Sequence, residues 1–277
     1  MTTQEHDVTR GRAPAATGND RVRQVGVVAS AVLGIAGAFW GSGAWGGEPV
    51  AEAAGGALSA DATLLAPAGA AFSIWSVIYA GLVAWTVWHS LPGQASSALA
   101  RATGWWGAAS LLLNALWLLT VQAGLLWLSV VVILLLALVL GRLLTLVDES
   151  QPRAGVLITQ VTHGLYLGWV SVATCANIAA VLVDSGIAPG RGVGEVVALV
   201  VLAAVCGLLW LYATYVGTAR WSATAAAVWG LAWIAAGRLN DAPDSTVVGV
   251  GAIGAALVGV ILTVLAARSR GASLARR

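Results

Sequence analysis

Residues 125–147 read LLWLSVVVILLLALVLGRLLTLV, an almost wholly apolar run broken by one charge, Arg142. The run exceeds the roughly twenty residues a helix needs to cross the hydrocarbon core of a bilayer. A surface helix of a soluble domain would show a polar face at a period of 3.6, and this one shows none. Seven further runs of similar character lie at approximately 25–45, 71–91, 104–122, 155–183, 196–217, 222–238 and 247–267. The run at 222–238 is short and ends in Arg238. Across the chain, hydrophobic residues make up 59% and charged residues 9%, against roughly 25% charged in an average soluble chain. So few charges cannot cover the surface of a soluble globule of this size. A soluble enzyme, a nucleic-acid binder and a disulfide-stapled secreted module are thereby excluded. The expected fold class is an all-α integral membrane protein with about eight transmembrane helices.

Arginine placement supports that count. The chain has no lysine, and its fourteen basic groups are all arginines. With eight spans both termini lie on one side, which then holds Arg10, Arg12, Arg21, Arg23, Arg101, Arg142, Arg153, Arg220, Arg268, Arg270, Arg276 and Arg277. The opposite side holds only Arg191 and Arg238. The positive-inside rule places both termini in the cytoplasm. The richness in Ala, Gly, Val and Arg resembles GC-rich codon usage, so a bacterial plasma membrane is the expected location. A cleaved signal peptide is the alternative for the first run, since Ala51-Glu52-Ala53 resembles a cleavage site. The apolar stretch is, however, longer than a signal core. Gly37-x-x-x-Gly41 within it permits close helix approach, although the chain is glycine-rich throughout.

Chemistry-bearing residues are scarce. No Asp or Glu lies in the middle of a span, which argues against ion-coupled transport. Cys175 and Cys206 read as small buried hydrophobes rather than a disulfide or metal pair. His163 sits near the start of the fifth span and His89 near the end of the second. A metal or haem role would need the two as a pair, and a hydrogen-bonded structural role is the plainer reading. No catalytic constellation and no metal site is expected. The loop at about 46–70 is long among short ones, carries Glu48, Glu52, Asp61 and Pro67 but no arginine, and is where a lid would sit.

Fourteen tryptophans against two phenylalanines is the compositional oddity, and interfacial belts do not account for the ratio. Trp75 and Tyr79 are four residues apart on one face of the second span, with Phe72 on nearly the same stripe and Trp85 and Trp88 further on. Asn114 and Trp117 are three apart in the third. Tyr166, Trp169, Ala173 and Asn177 form a continuous stripe in the fifth. Converging, the stripes would line an apolar pocket with a few polar anchors. The same spacing also serves helix-packing seams whose amides bond between helices.

In their order, Pro67, Trp75-x-x-x-Tyr79, Asn114-x-x-Trp117 and Tyr166-Leu167-x-Trp169 with Ala173 and Asn177 resemble the motifs of the tryptophan-rich sensory protein (TspO/MBR) family, which includes the translocator protein or peripheral benzodiazepine receptor. The departures are a shortened Phe72-Ser73-Ile74-Trp75, Leu165 where the family has proline, and a single Pro67 for a double proline. The resemblance implies a five-helix TspO-like bundle over 24–184, commonly dimeric. About three additional transmembrane helices follow as an extension at 195–267. A disordered tail at 1–23 and a basic tail at 268–277, both cytoplasmic, complete the expected organisation. The resemblance also implies a pocket for a planar hydrophobic molecule, a porphyrin or other tetrapyrrole or a lipid-like ligand. Trp75, Asn114, Trp117, Trp169 and Ala173 would line it, with Tyr79, Tyr166 and Asn177 beside them. No cofactor is required, and a porphyrin is expected, if bound, only as the ligand. The implied role is sensing or transport, with photo-oxidative porphyrin breakdown as an activity described in the family. The competing expectation is a membrane scaffold or permease-like subunit with no small ligand.

Overall fold

The computed structural model describes residues 15–43 and 45–274. Eight α-helices run through them: α1 (Gly18–Gly41), α2 (Ile74–Ser90), α3 (Ala98–Gln122), α4 (Leu126–Thr145), α5 (Arg153–Asp184), α6 (Arg191–Tyr215), α7 (Arg220–Asn240) and α8 (Thr246–Leu274). Their order and number match the eight apolar runs. All but α7 are long and apolar enough to cross a membrane, α2 together with the 3-10 turn Gly69–Ser73 that leads into it. The chain is an all-α, multi-span integral membrane protein.

Two expected tails are corrected. Of residues 1–23, the first fourteen lie outside the described residues, but 18–23 are helical. Thr17 caps α1, its hydroxyl accepting from the Asp20 amide while the Asp20 carboxylate accepts from the Thr17 amide. This reciprocal box starts a helix where polarity alone suggested a tail. Asp20 is also buried between two arginines, Arg23 Nη1 at 2.8 Å and Arg101 Nη2 at 2.6 Å. At the other end α8 continues to Leu274, through Ala266, Ala267 and Arg268, all good helix formers. Residues 275–277 lie outside the described residues.

The helices bury two main apolar clusters. One draws on α1 to α5, with Ile78, Leu111, Leu136, Leu140 and Leu167 at its centre. The other lies among α6, α7 and α8, around Leu202, Val205, Leu209, Leu231 and Val248. It also takes in Val172 of α5 and Leu65 of the long loop.

Small residues set the closest approaches. The Gly37/Gly41 pair is a true seam, since a Cβ built on Gly37 would lie 2.9 Å from Ala115 Cβ, and one on Gly41 2.8 Å from Leu118 Cβ. α1 and α3 therefore pack backbone to backbone. α5 and α7 do the same at Gly164 and Gly168, where an added Cβ would run into the Ala219 and Ala223 carbonyls. α1 and α2 are joined at their other ends, where Gln24 Nε2 donates to the His89 and Leu91 carbonyls at 2.9 and 3.1 Å.

Candidate functional site

The three aromatic–amide stripes meet inside the α1–α5 cluster. Trp75 is the hub: it stacks on Tyr79 with ring centroids 5.3 Å apart and planes 22° from parallel. It meets Tyr166 edge-on at 5.7 Å and Trp169 at 6.3 Å. Phe72 adds an edge-on contact to Trp169 at 5.6 Å. These are the offset and edge-to-face geometries that aromatic quadrupoles favour.

The amides knit the stripes together. Asn114 Nδ2 donates to the Tyr79 hydroxyl at 2.9 Å, tying α3 to α2. Trp117 Nε1 donates to Asn177 Oδ1 at 3.3 Å, and Asn177 Nδ2 donates to Ser129 Oγ at 3.0 Å, so α3, α4 and α5 share one polar knot. Tyr166 reaches the Ser110 carbonyl at 3.4 Å. All eight sequence-predicted residues thus gather in one region, and both readings of the stripes describe part of it. Asn177 and Tyr166 behave as seam residues. Trp75, Tyr79 and Trp117 face open space.

That space is a cavity of about 630 Å³ at the end of the bundle carrying the long loop. Ala38 and Phe39 of α1, Trp75 and Tyr79 of α2 and Trp117 of α3 line it, with Pro49–Ala51 above. Two crevices of about 40 and 20 Å³ lead inward past Phe72, Trp117 and Trp169 to Ala173. Two buried polar atoms beside the inner crevice, Trp169 Nε1 and Asn114 Oδ1, have no hydrogen-bond partner. Such atoms are costly to bury unpaired.

The loop over the site, residues 42–68, is held at both ends. Gln122 Nε2 donates to the carbonyls of Gly41 and Glu48 at 2.8 and 2.6 Å. Further along, Arg238 of α7 donates to the Thr63 and Ala60 carbonyls. Between them the Ser59 hydroxyl donates to the Asp61 carboxylate and holds it below its ordinary range. Arg238 was legible only as a charge ending a short span. The hint was its place on the arginine-poor side, opposite an acidic loop.

His89 and His163 do not face each other. The Trp85 indole packs against both, 4.9 Å from His163 and 5.2 Å from His89 by ring centroid. Each imidazole has one nitrogen within bonding distance of a backbone carbonyl, His163 Nδ1 with Thr159 at 3.0 Å and His89 Nε2 with Ala100 at 3.3 Å. Cys175 and Cys206 are both free thiols.

Taken together, these features define a multi-span membrane protein whose aromatic cluster borders a hydrophobic cavity beneath the long 42–68 loop. The family model for TSPO-like protein matches residues 28–265, and the chain belongs to that family. The match runs through α6, α7 and most of α8, so the last three helices, expected to lie outside the resemblance, are included in it. Neither the curated proteins nor the solved structures returned a match.

Proposed function

We propose that the protein is a membrane receptor or carrier for a planar hydrophobic ligand, a porphyrin or related tetrapyrrole. The carrying observation is the 630 Å³ cavity walled by the stacked Trp75–Tyr79 pair and by Trp117. Its volume falls within the roughly 300–1,000 Å³ of small-molecule sites, and its walls combine flat apolar rings with a few polar groups. Tyr79 and Trp117 keep fixed orientations because Asn114 and Asn177 hold their polar ends. Preorganised rings lose little freedom when a flat ligand slides between them. Phe39 both lines the cavity and is exposed, and in this reading an apolar ligand enters from the bilayer past that side chain. In this reading both termini are cytoplasmic and the 42–68 loop caps the site from outside. No side chain is assigned a chemical step, and light-dependent breakdown of a bound porphyrin is a question for the same cuvette.

The test is titration of detergent-purified protein with protoporphyrin IX, followed by the absorbance shift, with a Trp75→Ala/Trp169→Ala variant as the comparison. Saturable binding that the variant loses is the expected result. Equal binding by both proteins, or none by either, would leave the family likeness architectural and bring the scaffold reading forward.

A further inference from the structure

α7 contacts the ligand-site loop directly through charged and polar groups, and Leu65 of the loop joins the apolar cluster of α6–α8. Arg238, near the end of α7, is 1% exposed. Its Nη1 donates to the Thr63 carbonyl at 2.6 Å and its Nη2 to the Ala60 carbonyl at 2.7 Å, with the Ala242 carbonyl at 3.5 Å. The Ala68 amide donates to the Trp233 carbonyl at 3.1 Å, and Trp229 Nε1 donates to the Ala71 carbonyl at 2.9 Å. Trp229 and Trp233 brace each other edge-on at 5.6 Å. Apart from the Ala242 contact, each of these bonds joins α7 to the stretch 60–71.

That stretch has two faces. Thr63, Ala66, Pro67 and Phe72 line the crevice above Trp169 and Ala173. Leu65 points the other way and belongs to the α6–α8 cluster. A buried guanidinium is expensive unless its donors are satisfied. Here the two Nη groups of the planar fork spend their donors on carbonyls of a loop whose own backbone bonds are isolated turns, while Nε has no partner. Lysine has the charge but not the fork, and its single nitrogen cannot reach both carbonyls with the separate, in-plane donors that Arg238 offers.

We infer that α6–α8 form the seat of the loop that closes the ligand site, with Arg238 as the positioning residue that latches it. The inference deepens the ligand-binding reading and rests on it for its consequence, but the latch itself is a property of the free protein. α5 links the two ends of the device: Val172 packs against Gly230 of α7, one residue from Ala173 in the crevice wall. Displacing α7 therefore disturbs the roof and the wall of the site together.

The experiment is hydrogen exchange on the full chain in lipid nanodiscs, read over peptides covering 57–71, for wild type, Arg238→Met, Arg238→Lys and Trp229→Phe. Trp229→Phe keeps an aromatic ring and removes one donor, so it serves if Arg238→Met fails to fold. The expected result is exchange at least tenfold faster in 57–71 for Arg238→Met, a smaller rise for Arg238→Lys and Trp229→Phe, and unchanged exchange in α3 and α4. Protoporphyrin dissociation, measured by transfer to an acceptor protein, should quicken at least fivefold in the same order. Wild-type exchange over 57–71 in the folded variants would overturn the latch. A loosened loop with an unchanged porphyrin off-rate would overturn its role in closing the site. A loosened loop in a protein that binds no porphyrin would leave the latch standing and remove the tetrapyrrole reading instead.

Discussion

Gly168 is the residue at which a single methyl group should do the most damage. A Cβ built there would lie 2.8 Å from the Ala223 carbonyl carbon and 3.0 Å from Ala223 Cα, closer still to the carbonyl oxygen, where ordinary contact begins at 3.4 Å. The obstacle is backbone, so no rotamer change relieves it, and α7 must retreat from α5 by several tenths of an ångström or more. Overpacking of this kind costs about 1–3 kcal/mol. At one to two kcal/mol the folded-to-unfolded ratio changes by roughly 5–30-fold. Gly168→Ala should therefore lower the thermal midpoint of the detergent-solubilised protein clearly, and Gly164→Ala, which meets the Ala219 carbonyl oxygen at 2.9 Å, should do likewise. Gly207→Ala and Gly254→Ala are matched controls, because a Cβ at either position meets nothing within 4 Å. They should leave the midpoint unchanged or raise it slightly, as alanine favours helix over glycine. A Gly168→Ala protein as stable as the controls would refute the close α5–α7 seam.

Asn177→Leu should destabilise the protein by about 1–3 kcal/mol, because it strands the buried Trp117 indole N–H and removes the amide that donates to Ser129 Oγ, leaving that hydroxyl only its bond to the Leu126 carbonyl; thermal unfolding followed by tryptophan fluorescence checks it. Ser129→Ala removes one member of the same knot and should cost less. Glu149, in the α4–α5 loop, feels burial pushing its carboxyl up, but donors from Gln160 and Thr218 with Arg220 nearby outweigh it and hold the group low. Since the folded-state value is lowered, this contribution is complete above the ordinary 4.5 and is lost as pH falls below it through the folded value. Glu149→Gln should flatten that acid limb of a midpoint-against-pH curve, and a limb unchanged by the substitution would exclude Glu149 as its source.

What could be read from sequence was whatever one helix carries by itself. Length and hydropathy mark eight helices, and the spacing of Trp75 with Tyr79, Asn114 with Trp117, and Tyr166 with Asn177 marks the faces that converge. Features created by a partner were less visible. The start of α1 looked like a tail because Asp20, Arg21 and Arg23 are polar, and Arg101, 81 positions on, joins Arg23 in pairing the buried Asp20. The same holds for Arg238, whose partners are carbonyls and carry no sequence signature at all. His89 and His163 read most plainly as hydrogen-bonded structural residues, but nothing in their spacing reveals that the Trp85 ring packs against both.

The modest hydropathy of α7 has a consequence for how the protein is made. Of the eight helices it is the one that falls short of a membrane span by composition, with arginine at its first residue and again two before its last. Such a segment partitions poorly into lipid alone, and gains its place from the glycine faces of α5 and from α6 and α8 beside it. Arg238 can reach the loop only once α7 is packed among these neighbours. The roof of the cavity, encoded in the first quarter of the chain, is thus fastened by a helix that is itself held by others, and assembly must bring together partners 175 and 178 positions apart.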